Sequence, residues 1–202
     1  MSKHGSMVWV SDAKGSGALD GGEVCLRPLV EEDAPLLTRW PFDPEVLYWL
    51  QLSEDPAELR TSQAVRERFE RMQADPFTET WRIDKVKGRP VGQIELVEIH
   101  PLQRRAEVHL CIGEKDVWGR GYGTRAVQRL LGHAFEDLRL RRVFARADVD
   151  NARVLHCFER CGFTHDGRLR RHRLLYRQPT DMVVMGILDE EYRATNDRPA
   201  GV

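Results

Sequence analysis

The chain has 202 residues, with 31 Lys and Arg against 32 Asp and Glu and a formal net charge of -1. That length suits one domain with a sizeable core, and the near-neutral balance lacks the basic field that nucleic-acid or membrane-surface binding draws on. No apolar run is long enough to span a bilayer, no apolar signal segment follows Met1, and the four cysteines (Cys25, Cys111, Cys157, Cys161) read as reduced thiols of a cytoplasmic protein.

In chain order, residues 1–22 are rich in Gly, Ser, Asp and Lys and read as a mobile leader to a domain spanning 23–192, with a polar tail at 193–202. A first strand is expected at Glu23 to Val30, then a short helix opened by Asp33-Ala34-Pro35, and a second helix from Ser62 to Gln73 with Val65, Phe69 and Met72 on one face. Trp81 to Ile99 reads as a hairpin turning at Lys87-Gly88-Arg89-Pro90, and Arg105 to Gly113 as a strand with Val108, Leu110 and Ile112 on one face. Past a glycine-rich loop, Ala126, Val127, Leu130, Leu131, Ala134, Phe135 and Leu138 form an apolar stripe at helical spacing. A strand at Arg142 to Val149 follows, then a helix from Ala152 to Cys161 ended by Gly162, and two strands at Thr164 to Leu175 and Met182 to Leu188. Cys157 and Cys161 lie four apart on that last helix without a second Cys or His pair at zinc spacing, so buried thiols are expected and no metal.

The loop Trp118-Gly119-Arg120-Gly121-Tyr122-Gly123-Thr124 in front of the stripe is where the chemistry starts. Glycines let backbone N–H groups converge on one point, and a helix N-terminus adds about half a positive charge, so a phosphate is the natural guest. A tight helix entry with no ligand is the alternative. The spacing is neither a Walker loop, which needs Lys after the last Gly, nor a Rossmann fingerprint, which opens at the first strand.

Taken together, "AEVHLCI", "WGRGYGT", the amphipathic helix, Asn151 and "FERCGF" resemble the GNAT N-acetyltransferase superfamily over Glu23 to Tyr192. "LRPL" near the start and "PTDMVVM" near the end add a resemblance to its ribosomal-protein N-terminal acetyltransferase branch. The resemblance implies an α+β GNAT fold: a mixed, mostly antiparallel sheet of about seven strands, flanked by about four helices and splayed at an acetyl-CoA site. It places the coenzyme on Leu110, Cys111 and Ile112, on Trp118, Gly119, Arg120, Gly121, Tyr122, Gly123 and Thr124, and on Asn151 and Phe158. Trp118 stands where the family has Gln or Arg, which costs one side-chain contact and leaves the backbone site. Asn151 also suits a helix N-cap.

The resemblance further implies direct attack of a primary amine on the thioester. Where the family carries a proton-donating Tyr or Ser this chain has Phe158 and Val154, a loss that a thiolate of pKa about 8.5 can tolerate as leaving group. Glu107 and His109 share a strand face beside the expected thioester and are the candidate catalytic residues, His109 as a group titrating near neutrality or as an ordinary polar side chain of that face. A lysine-type amine costs about 4.6 kcal/mol to deprotonate at pH 7 and an α-amine about 1.4, so a site without a strong base favours an α-amine of a protein N-terminus or small amino compound. Five arginines between Arg168 and Arg177 suit an anionic acceptor, or form a solvated face. The competing readings are a polyamine acetyltransferase with Glu95, Glu98 and Glu107 as an acidic lining, and an acyl-CoA-binding module that has lost its chemistry. A homodimer is compatible with all of these, with no nucleic acid, membrane or metal partner.

Overall fold

In the computed structural model the described residues are 19–21, 23–40, 43–50, 62–85, 88–175 and 178–196. They form one sheet in the order β1-β2-β3-β4-β5-β6-β8-β7. The strands are β1 (Leu19–Gly21), β2 (Val24–Pro28), β3 (Glu79–Lys85), β4 (Arg89–His100), β5 (Arg105–Ile112), β6 (Arg142–Asp148), β7 (Thr164–Leu175) and β8 (Gln178–Leu188). Every pairing is antiparallel except β5 with β6. The helices are α1 (Ala34–Arg39), α2 (Pro44–Trp49), α3 (Ser62–Ala74), α4 (Tyr122–Gly132), α5 (Ala152–Arg160) and α6 (Asp189–Asn196).

Strand alternation divides the sheet into two unlike faces. Val24 and Leu26, Trp81 and Ile83, Ile94 and Leu96, Ala106 and Val108, Val143 and Ala145, and Met185 and Ile187 are buried in one core with the α4 stripe of Ala126, Val127, Leu130 and Leu131. The opposite face carries Arg27, Arg82, Glu95, Glu107, His109 and Arg146, with a small apolar cluster of Leu29 and Phe69 under α1 and α3. There Asp33, 3% exposed, takes Arg27 at 2.7 Å and Arg82 at 2.5 Å, which ties α1 to β2 and β3.

The elements exceed the sequence expectation of about seven strands and four helices: the sheet has eight strands, and six α-helices are described. The added strand, β1, lies in the expected leader and pairs Leu19 with Leu26 through Gly21 with Val24, a backbone ladder that needs no apolar alternation. Residues 1–18 lie outside the described residues. Helix α6 runs into the expected tail because Tyr192 packs 5.1 Å from Phe135 and its hydroxyl donates to Glu136 at 2.9 Å. The stripe after the glycine loop is helical as read, but after Gly132 it widens into a π-turn, His133–Asp137, with Leu138 N–H bonded to the His133 carbonyl.

Candidate active site

Strand β5 keeps β6 as a neighbour only where Arg105, Ala106 and Glu107 face Arg142, Val143 and Phe144. Beyond that point β5 continues to Ile112 and β6 to Asp148 without pairing, so the sheet opens into a wedge. The wedge has a cavity of about 270 Å³ on the α4 side and one of about 730 Å³ on the polar face. Trp49, Leu50, Leu110, Cys111, Asn151 and Val154 border both, so the two chambers meet across the open strands.

The smaller chamber is lined by Leu110, Cys111, Ile112, Trp118, Gly119, Gly121, Tyr122, Gly123, Thr124 and Asn151, which are brought together as the sequence reading expected. Gly119 at φ +73° and Gly121 at φ +82° hold the loop in the left-handed region, where an L side chain is strained. Gly121 is the N-cap of α4, and the first-turn N–H groups that follow it have no intrahelical acceptors. A cradle of free donors at the positive end of a helix, beside small residues, fits a pyrophosphate. Asn151 is also an N-cap, its Oδ1 accepting from Val154 N–H at 3.3 Å. Trp118 has its ring N–H occupied: Nε1–H donates to the Ile112 carbonyl at 2.7 Å, and the Arg153 guanidinium lies 4.2 Å from the ring centroid. It braces the loop against the end of β5.

Two of the expected residues stand outside the lining of the smaller chamber. Arg120 is exposed and lies outside the lining, because the left-handed glycines on either side turn it to solvent. Phe158, 2% exposed, packs 5.0 Å from Phe163 and borders the larger chamber instead of the smaller one.

On the polar face the cross-strand register assembles a chain of charges. Glu95 on β4 faces His109 on β5, with His109 Nδ1 3.6 Å from its carboxylate, and His109 Nε2 is 3.4 Å from Glu107. Glu107, 1% exposed, accepts two bonds from Arg146, at 2.9 and 2.6 Å. Burial works against the charged imidazole, but the Glu107 and Glu95 carboxylates outweigh it and raise the His109 pKa to about 9. Burial likewise disfavours ionised Glu107, yet His109 and Arg146 hold its pKa below the usual carboxylate value. His109 therefore carries its proton at neutral pH, which corrects the expectation of a group titrating near neutrality.

The arginine strand divides. Arg168 pairs with Asp181 at 2.7 Å, Arg170 and Arg171 are exposed outside the chamber, and Arg177 lies outside the described residues. Arg173 does line the larger chamber, but it is bonded to Asp148 and to the Leu50 carbonyl. Its charge is already matched, so the anionic-acceptor expectation loses its support. The sequence reading missed Arg146, Arg153 and the wall that α2 supplies through Val46, Trp49 and Leu50. Asp43-Pro44 was the available signal for α2: the Asp43 carboxylate caps Glu45 and Val46 N–H at 2.9 and 3.3 Å, with Pro at the first helical position.

A family model described as the acetyltransferase (GNAT) domain matches residues 23–164. A spermidine N(1)-acetyltransferase of Escherichia coli K12 is 27% identical over 177 residues, covering 87% of this chain and 91% of that protein. The protein of Bacillus subtilis 168 named "Putative ribosomal N-acetyltransferase YdaF" is 32% identical over 105 residues, covering 52% of this chain and 57% of that protein. Among solved structures, the spermidine N-acetyltransferase of Vibrio cholerae in complex with CoA and spermine superposes with a TM-score of 0.77 at 23% identity, over 85% of this chain and 99% of that one.

Proposed function

We propose, from the premise that this chain belongs to the GNAT acetyltransferase family, that it carries an acetyl group from acetyl-CoA to a primary amine on a cationic, polyamine-like acceptor. The smaller chamber is the coenzyme site in this reading and the larger one the acceptor site. The nitrogen lone pair attacks the thioester carbonyl carbon, the C–S bond breaks, the thiolate leaves and the amine gives up one proton.

One observation carries the acceptor class: the charge around the larger chamber. Glu95 and Glu98 line it beside Arg146, Arg173 and protonated His109, and the buried Glu107 and Asp148 behind the wall neutralise Arg146 and Arg173, which leaves the two lining carboxylates against His109 alone. Glu98 is 59% exposed and sits 3.9 Å from Arg146, which leaves it able to receive a second ammonium. The relatives named for spermidine support the same class. His109 enters the reaction protonated, and we assign it the proton exchange at the meeting of the chambers. Glu107 acts through it as a positioning residue.

A second reading rests on the high His109 pKa: with no neutral base poised at pH 7, an α-amine is cheaper to deprotonate by about 3 kcal/mol, the difference of the costs above. Initial rates of CoA release with spermidine and with a short peptide carrying a free α-amine decide between them. The polyamine reading expects spermidine to have at least tenfold the kcat/KM of the peptide, and Glu98→Gln to raise KM for spermidine alone. A peptide preference, with Glu98→Gln without effect on spermidine, would refute it.

A further inference from the structure

Helix α2 is a wall that the two chambers share. Val46, Trp49 and Leu50 line the smaller chamber, and Trp49 and Leu50 also line the larger one. Among the described residues no α2 side chain belongs to either apolar cluster. Polar bonds fasten it instead. At its start Lys115 Nζ, in the short turn Lys115–Val117 ahead of the glycine loop, lies 2.8 Å from Asp43 and 3.7 Å from Glu45. Glu45 also takes Arg153 of α5 at 3.2 Å, and that guanidinium stands over the ring of Trp118, the residue that opens the glycine loop. At the far end the Leu50 carbonyl accepts from Arg173 at 2.9 Å. The approach to α2 is seated beside the same turn: Asp43 N–H donates to the Trp40 carbonyl at 3.1 Å, Trp40 Nε1–H donates to Glu114 at 2.9 Å, and a Cβ added at Gly113 would collide with the Trp40 ring. Glu45 is half exposed and lines neither chamber, yet it joins α2 to both elements that flank the loop.

We propose that Glu45 is a positioning residue for the acceptor: through Lys115 and Arg153 it fixes α2 to the glycine loop, so that filling the smaller chamber steadies the wall of the larger one. The inference rests on the reading of the two chambers as coenzyme and acceptor sites. A coenzyme packed on the loop restrains Trp118 and with it the stacked Arg153, and the Glu45 carboxylate passes that restraint to α2. An exposed ion pair shifts an equilibrium by up to about fivefold. Glu45 makes two, which share one carboxylate and do not add in full, so removing its charge should loosen α2 by about three- to tenfold. Such coupling is reciprocal: the factor by which bound coenzyme tightens the acceptor is the factor by which bound acceptor tightens the coenzyme.

Hydrogen exchange of the full chain, read by mass spectrometry on residues 43–50, tests this in the parent and in Glu45→Gln, with and without acetyl-CoA at a saturation set by calorimetry. The reporting amides are Leu47 and Leu50, bonded to the Asp43 and Val46 carbonyls at 2.8 and 3.0 Å. Acetyl-CoA should slow their exchange at least threefold in the parent and have little effect on them in Glu45→Gln, whose calorimetric affinity for acetyl-CoA should stay within about threefold of the parent's. Direct contact of the coenzyme with Val46, Trp49 and Leu50 is the same in both proteins, so the difference between them reads the Glu45 link. Initial rates give the second readout: Glu45→Gln should raise the acceptor KM about three- to tenfold with little change in the KM for acetyl-CoA, and Glu45→Asp, which keeps the charge, should restore part of both effects. If α2 in Glu45→Gln exchanges faster by the same factor with and without acetyl-CoA, Glu45 only stabilises the first turn of its own helix and the coupling is overturned. An unchanged acceptor KM would overturn the positioning role. No calorimetric binding of acetyl-CoA to the parent would overturn the coenzyme reading and this inference with it, whereas turnover of a peptide α-amine without turnover of spermidine would overturn the polyamine reading alone and leave the exchange result to stand.

Discussion

Arg146→Met separates a structural role for Glu107 from a chemical one. The substitution removes both bonds to a carboxylate that is 1% exposed and leaves it only the His109 ring, 3.4 Å away. Breaking a buried ion pair from one side costs about 3–5 kcal/mol. Arg146 is itself 34% exposed and His109 remains, so the lower end applies, about 3 kcal/mol. With an unfolding entropy of about 2.1 cal/mol/K per residue over a domain of roughly 170 residues, one degree corresponds to about 0.36 kcal/mol, and Tm should fall by about 8 °C. Urea denaturation should show a lower midpoint at unchanged slope, and acetyl-CoA affinity should hold because the glycine loop is elsewhere. Adding Glu107→Gln to Arg146→Met removes the stranded charge and should recover more than half of the loss. If Arg146→Met costs under about 1 kcal/mol, or the second substitution recovers nothing, Glu107 is not held as an ionised buried group and the charge chain is misread.

Two further outcomes follow from named positions. Gly121→Val places a β-branched residue at φ +82°, where an L residue costs about 1–2 kcal/mol, and sets its Cβ 3.1 Å from the Arg125 guanidinium, which disturbs the loop; calorimetry should show acetyl-CoA binding weakened at least tenfold in a protein that still folds. For His109 the folded pKa of about 9 lies above the unfolded value of about 6.5, so the folded state holds the proton more tightly. Its contribution to stability is complete below about pH 6.5 and is lost as pH rises through about 9. Urea midpoints taken from pH 6 to 10 should fall across that window in the parent and flatten in His109→Gln; an equal slope in both would remove His109 from the linkage.

What the amino-acid sequence determined by itself is what depends on neighbours along the chain. The α4 stripe is legible because side chains three and four apart share a helix face. The left-handed loop in front of α4 is legible because it needs glycine and a helix start supplies free N–H donors, and Gly119 and Gly121 do adopt positive φ. Gly162, at φ +90°, ends α5 for the same local reason. The tertiary structure alone decided the charges. The sequence shows Glu107 and His109 two apart on one strand, but the register that sets Glu95 against His109 and the reach of Arg146 from β6 come from separate strands, and they move a histidine from a neutral group to a protonated one at pH 7. Likewise five arginines read as free positive charge until Asp148 and the Leu50 carbonyl claim Arg173 and Asp181 claims Arg168. Coulomb energy depends on distance and burial, and strand pairing sets both between residues that the chain keeps far apart.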